Sequence, residues 1–173
     1  LMQQRPFYII AHRCNDAGKV IQAVNLGANA FECDIRYNQQ HGVFVVNHDT
    51  DIFYQDDALI SFLDQIRIFN QVNSDLALVI FDVKDNEDRT GRIAVSLLTT
   101  IRKYLTDYVD LHVIISVADL AHEGFLRPLY NQLRLKEGVA IDYENDVFRV
   151  HNYFKQFQVQ HCAYGNGHTM LSN

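Results

Sequence analysis

Three short apolar runs in the first fifty residues carry polar side chains at or near their C-terminal ends, and this limits the folds open to the chain. Phe7-Tyr8-Ile9-Ile10-Ala11 leads into His12 and Arg13. Ala30-Phe31-Glu32-Cys33-Asp34-Ile35 holds two carboxylates two positions apart, and Val43-Phe44-Val45-Val46-Asn47 leads into His48 and Asp49. As neighbouring parallel strands, these runs would bring two histidines, two carboxylates and an arginine to one end of a sheet. Side chains of a strand alternate between faces, so Glu32 and Asp34 share a face, roughly 6.5–7 Å apart along the strand. Phe31, Cys33 and Ile35 share the other. Two carboxylates side by side repel and are costly to bury. A divalent cation that prefers hard oxygen ligands, Mg²⁺ or alternatively Ca²⁺, stabilises such a pair. The competing reading is an edge strand with a wet Glu-x-Asp face, but the apolar residues on both sides of the pair argue against it.

The rest of the chain repeats the alternation of strand and helix. Asp16 to Leu26 has helical spacing and ends before Gly27, a natural C-cap. Asn38 to Gly42 reads as a turn. Leu59, Ile60, Leu63, Ile66 and Phe69 recur at threes and fours, giving a helix from Asp57 to Val72 with one buried stripe. Leu76 to Lys84 is the strongest buried strand and places Asp82 and Lys84 on one face. A helix from Arg92 to Tyr108 precedes a strand from Leu111 to Val117. Asp119 reads as the N-cap of a helix running through Leu126 and Leu133 to a stop at Gly138. Val139–Tyr143 as strand, Val147–Phe157 as helix and Gln160–Tyr164 as strand complete the series.

Near-continuous apolar strands alternating with helices predict a parallel sheet covered by helices, either an open doubly wound sheet or a (β/α) barrel. Polar residues follow several different strands, and only in a barrel do all those strand ends ring one mouth. A TIM-type (β/α) barrel is therefore the predicted fold. With 173 residues it is short of the ~200 or more that eight units usually need, so it should lack its last strand or strands. The open edge this leaves calls for a partner to cover it. No repeat, low-complexity run or linker divides the chain, so residues 1–173 read as one domain.

Composition narrows the function. A net charge of −6 argues against nucleic acid as the partner. No apolar run is long enough for an integral membrane segment, and no signal peptide is visible in this stretch. Cys14, Cys33 and Cys162 form no disulfide or metal-binding pattern. Cys33 reads as a small buried hydrophobe and Cys14, beside His12, as a passive loop residue rather than a reactive thiol. His112 reads as a satisfied core residue; His41, His122, His151 and His161 read as surface or packing residues. His168 lies in a glycine-flanked loop. Asp49 reads as a turn residue, and Phe53 and Tyr54 as core.

Two segments, Ala11-His12-Arg13-Cys14-Asn15 and Val24-Asn25-Leu26-Gly27-Ala28-Asn29-Ala30-Phe31-Glu32-Cys33-Asp34, resemble the start of the sphingomyelinase D/phospholipase D family, within the glycerophosphodiester phosphodiesterase superfamily. His48-Asp49 resembles the superfamily's second histidine. Phe81-Asp82-Val83-Lys84 resembles its Phe-Asp-x-Lys strand, and Tyr164-Gly165-Asn166-Gly167 a late strand's Gly-Asp-Gly. The resemblance covers nearly the whole chain. It implies a metal-dependent barrel that cleaves the head group of sphingomyelin or a lysophospholipid, or else soluble glycerophosphodiesters; the alternative is an inactive binding or scaffold remnant. It further implies His12 and His48 as the catalytic pair, Glu32, Asp34 and Asp82 as Mg²⁺ ligands, Lys84 as a phosphate contact, and secretion; Arg13, a cation beside His12, reads as a second substrate contact. Thr50 to Gln55 contains no cysteine, unlike the disulfide-bonded loop of the venom members. There is also no tryptophan to match the one the family carries on a closing strand.

Overall fold

A computed structural model of the chain describes residues 7–48, 58–72, 75–84, 90–142 and 146–164. The strands are β1 (Ile10–Ala11), β2 (Ala30–Asn38), β3 (Val43–Val46), β4 (Leu78–Val83), β5 (His112–Val117), β6 (Glu137–Ile141) and β7 (Cys162–Tyr164). The α-helices are α1 (Ala17–Asn25), α2 (Ala58–Val72), α3 (Arg92–Ile101) and α4 (Val147–Gln156). Hydrogen-bonded neighbours run β1-β2-β4-β5-β6-β7, all parallel, and β3 pairs with β2 alone. The six parallel strands curl through 198° and stay open, a half-barrel with helices on its outer side. Among the described residues the predicted barrel-type fold is observed as this open half-barrel.

The alternation within β2 fixes the layering. Phe31, Cys33 and Ile35 are buried in the helix-side core with Val20 and Val24 of α1 and Leu59, Leu63 and Ile66 of α2. Phe31 meets Phe62 of α2 edge to face at 5.9 Å. Burying each such large side chain is worth about 1.5–3 kcal/mol. A slip of one residue would drive Glu32 and Asp34 under the helices and turn the apolar set inward, so burial itself specifies the register. β4 repeats the logic, with Val79, Phe81 and Val83 buried against the helices.

Helix α1 is capped at both ends, and the Gly27 end matches the sequence reading. Asp16 accepts from the Lys19 N–H at the start of α1, and Gly27 takes φ +103 just past its end, a conformation costly for any other residue. Beyond Ile101 the third helix continues as a π-helical turn, Arg102–Thr106.

Three local expectations are corrected. The run ending at His48 is not a parallel neighbour of β2: β3 folds back on it antiparallel, Ile35 opposite Val46 and Asn38 opposite Val43. The segment after Asp119 is not one helix running to Gly138. It is two 3₁₀ turns, Leu120–Phe125 and Arg127–Leu129, because Pro128 has no N–H to extend an α-helix and Gly124 weakens it. Asp119 does cap the first turn, accepting from Ala121 N–H at 2.8 Å. Gly138 lies inside β6, where a side chain would stand 3.2 Å from the His161 carbonyl oxygen. His112 is likewise not a core residue. It opens β5 on the face opposite the buried Val113 and is exposed.

The three cysteines are free, with Cys14 and Cys33 buried and Cys162 exposed. Burial, reinforced by the charge of Glu32, pushes the Cys14 thiol up, away from reactive thiolate. Asp49, Phe53, Tyr54, Asn166 and His168 lie outside the described residues.

Candidate active site

The register of the parallel strands lines up one polar row across the mouth. Asp34 of β2 faces Asp82 of β4, which faces Ser116 of β5. Small residues, Ala140 and Ala163, continue the row on β6 and β7. Glu32 lies one layer deeper on the same inner face as Asp34. Glu32, Asp34 and Asp82 are all buried, and each offers an oxygen within 4.8 Å of the others.

The loop after β1 clasps this row. Cys14 N–H donates to the Glu32 carbonyl at 2.9 Å, tying the loop backbone to β2. Arg13 N–H donates to Glu32 Oε2 at 2.8 Å, with Arg13 held at φ +54, a left-handed conformation uncommon outside glycine. His12 Nε2 lies 3.3 Å from the same Oε2. Asn15 makes a reciprocal pair with Asp34: its amide donates to Oδ2 at 2.7 Å, and its Oδ1 accepts from the Asp34 N–H at 2.8 Å.

His48 reaches the mouth by another route. The β2–β3 hairpin returns the chain to the level of Asp34, whose carbonyl accepts from Asn47 N–H at 3.0 Å. The guanidinium of Arg36 then grips the His48 carbonyl at 3.0 and 2.8 Å. In this position His48 Nε2 lies 3.0 Å from Arg13 Nη2. A guanidinium only donates, so that nitrogen presents its lone pair.

Lys84, just beyond β4, sits between two of the carboxylates. Its ammonium pairs with Asp82 Oδ2 and lies 3.0 Å from Asp34 Oδ1. Burial opposes that charge, but Asp82 and Asp34 hold the ammonium protonated, well above the ordinary lysine value. Asp34 answers in the opposite sense: burial pushes it up, yet the hydrogen bond from Asn15 and the adjacent Lys84 ammonium prevail and lower it. Glu32 is less compensated than Asp34, raised by burial and by the charge of Asp34 despite the Arg13 N–H. Its Oε1 is buried and accepts no hydrogen bond.

The structure thus joins all seven residues singled out from sequence (His12, Arg13, Glu32, Asp34, His48, Asp82 and Lys84) through one continuous set of contacts at one end of the sheet. Asn15, Arg36 and Ser116 are the supporting residues that sequence reading missed. Arg36 had a visible signal, since Glu32-x-Asp34-x-Arg36 puts a third charged residue on the inner face. Asn15 had only its place three residues after His12. Three buried carboxylates, two of them with an oxygen that accepts no hydrogen bond (Glu32 Oε1 and Asp34 Oδ1), fit a hard divalent cation. Groups that orient such ligands are commonly worth 10–100-fold in metal affinity. Asn15→Ala is therefore expected to weaken Mg²⁺ or Ca²⁺ binding by about 10–100-fold without unfolding the chain, as read by isothermal titration calorimetry and circular dichroism.

The Dermonecrotic toxin SPH family model matches residues 2–172. Among solved structures, a Ca²⁺-dependent phosphatidylinositol-specific phospholipase C from Streptomyces antibioticus superposes with a TM-score of 0.54 at 14% identity. The match covers 78% of this chain and 65% of that one, so the chain spans less than two thirds of that structure's length. At this identity the likeness establishes the TIM-barrel type of fold. No curated protein sequence matches the chain.

Proposed function

The chain belongs to the Dermonecrotic toxin SPH family, a family of sphingomyelinase D enzymes, and we propose that it is a divalent-metal-dependent phosphodiesterase acting on the choline head group of sphingomyelin or a lysophospholipid. The observation that carries this reading is the buried Glu32, Asp34 and Asp82 triad with His12 and His48 beside it. In this reading residues 1–173 act as a single domain, and secretion follows family habit. No helix among the described residues is long and apolar enough to cross a membrane, so the lipid would be met at its head group.

Glu32, Asp34 and Asp82 would hold the metal. Mg²⁺ is the first choice, and Ca²⁺ the alternative suggested by the Ca²⁺-dependent structural relative. Bound there, a divalent cation supplies charge neutralisation at the non-bridging phosphate oxygens. Lys84 and Arg13 add cationic contacts to the same phosphate, so that the phosphorus is held for in-line attack. His12 acts as base or nucleophile. As base it takes the proton from an attacking water or substrate hydroxyl, whose oxygen bonds to phosphorus. The phosphorus–oxygen bond to the choline alcohol breaks, and His48 gives that oxygen its proton. Histidine suits both roles because its ordinary pKa lies near neutrality. With Arg13 donating to His48 Nε2, that nitrogen can carry the proton only after Arg13 has turned to the phosphate.

The test is choline release from sphingomyelin, lysophosphatidylcholine and glycerophosphocholine, with Mg²⁺, with Ca²⁺ and with chelator. Metal-dependent release from the two lipids is the expected result. Preference for glycerophosphocholine would move the assignment to soluble glycerophosphodiesters. Equal, negligible rates under all conditions would leave a binding or scaffold protein of the same fold.

A further inference from the structure

We propose that Lys84 is the internal counter-ion of the carboxylate triad, and that a divalent cation binds by displacing it, so that metal loading and release of Lys84 toward the phosphate are one event. The inference rests on the reading of Glu32, Asp34 and Asp82 as metal ligands. It comes from tracing which carboxylate oxygens are already in use. Asp34 Oδ2 is taken by the Asn15 amide at 2.7 Å. Asp82 Oδ1 is taken by the Ser116 hydroxyl at 3.1 Å. Glu32 Oε2 is taken by Arg13 N–H at 2.8 Å, with His12 at 3.3 Å. One oxygen per residue is left: Glu32 Oε1, Asp34 Oδ1 and Asp82 Oδ2. Lys84 Nζ pairs with Asp82 Oδ2 and lies 3.0 Å from Asp34 Oδ1, and both Glu32 Oε1 and Asp34 Oδ1 are buried without accepting a hydrogen bond.

The oxygens that neutral donors leave open are therefore the ones a metal would need, and two of them already face an ammonium. A divalent cation binds carboxylate oxygens at about 2.0–2.6 Å. An ammonium and a divalent cation on the same oxygens would repel strongly in a site this dry. Lys84 is 21% exposed on its side chain, so it has a way out toward the mouth. It would act by turns, as counter-ion in the metal-free chain and as phosphate contact in the loaded one. A ligand's apparent affinity falls by the fraction of protein whose site is already open to it.

Isothermal titration calorimetry of the whole chain with Mg²⁺ and with Ca²⁺ tests this, comparing wild type with Lys84→Met and Lys84→Gln. Removing the competing ammonium is expected to tighten metal binding about tenfold or more, as when Lys84 holds the site at least nine-tenths of the time. In chelator the variants should melt below wild type, and metal should abolish that difference. In parallel, reductive methylation of wild type with ¹³C-formaldehyde should label Lys84 faster with metal than with chelator, a measurement that needs no variant to fold. Unchanged or weaker metal affinity in a folded Lys84 variant, or labelling of Lys84 that ignores metal, would overturn the exchange. A wild type that binds neither cation would instead remove the metal reading beneath it.

Discussion

Alanine in place of His12 or of His48 is expected to lower kcat for choline release by about 10²- to 10⁴-fold, with the melting temperature and metal affinity near wild type. Both side chains can be removed without opening the core. His12 is 53% exposed on its side chain, and its loss leaves Glu32 Oε2 still bonded to the Arg13 N–H. His48 is only partly buried, and the Arg36 grip is on its backbone carbonyl, which alanine retains. Groups that act as a unit are not additive, so the double variant should be hardly worse than the poorer single one. Single-turnover rates with saturating metal give the measurement. A variant that folds, binds metal and keeps more than about a tenth of the rate would remove that residue from the proton transfers.

The largest expected effect on stability lies away from the site. Arg102, in the π-helical turn, forms a forked pair with Glu137 at the start of β6, Nε to Oε1 at 2.8 Å and Nη2 to Oε2 at 2.6 Å. Arg134 N–H adds a third bond to Oε2 at 2.8 Å. Glu137 is 4% exposed, so Arg102→Ala would strand a buried carboxylate. Because the arginine end of the pair is partly open to water, the expected cost is about 3 kcal/mol, the lower end for a broken buried pair. Replacing both partners with apolar residues, Arg102→Met with Glu137→Leu, should recover most of it.

The pH dependence of this pair has a definite sign. Burial pushes the Glu137 carboxyl up, but the hydrogen bonds from Arg102 and Arg134 prevail and hold it below the ordinary 4.5. A group whose folded value is lowered contributes stability above its unfolded pKa and loses it as pH falls through the folded value. The gap between wild type and Arg102→Ala should therefore be full at neutral pH and close progressively below about pH 4.5. Urea unfolding at a series of pH values reads it directly. A gap independent of pH would mean that the arginine stabilises by packing alone.

How far the chain could be read in advance varies from element to element. Glu32 and Asp34 were legible as a shared face because strand alternation is a local property. The same holds for Asp82 and Lys84, and for the caps at Gly27 and Asp119. The route of His48 was not legible. An apolar run of five residues reads the same whether its strand lies parallel or antiparallel to its neighbour, and β3 is the case where the guess of direction was wrong. The stretch after Asp119 misled for a different reason: its leucines keep helical spacing, while Pro128 forbids the helix. His112 was misjudged because apolar neighbours in sequence sit on the opposite face of a strand.

The order of apolar and polar residues by itself determined a parallel α/β chain with a buried acidic strand, because periodicity and burial act within one element at a time. Only the tertiary structure decided which oxygens of Glu32, Asp34 and Asp82 stay open, that Asn15 and Ser116 hold the others, and that Arg102 answers Glu137 thirty-five residues away. Those pairings are set by strand order, register and the path of loops between strands. Such quantities belong to the packing of the whole sheet, and no short window of sequence contains them.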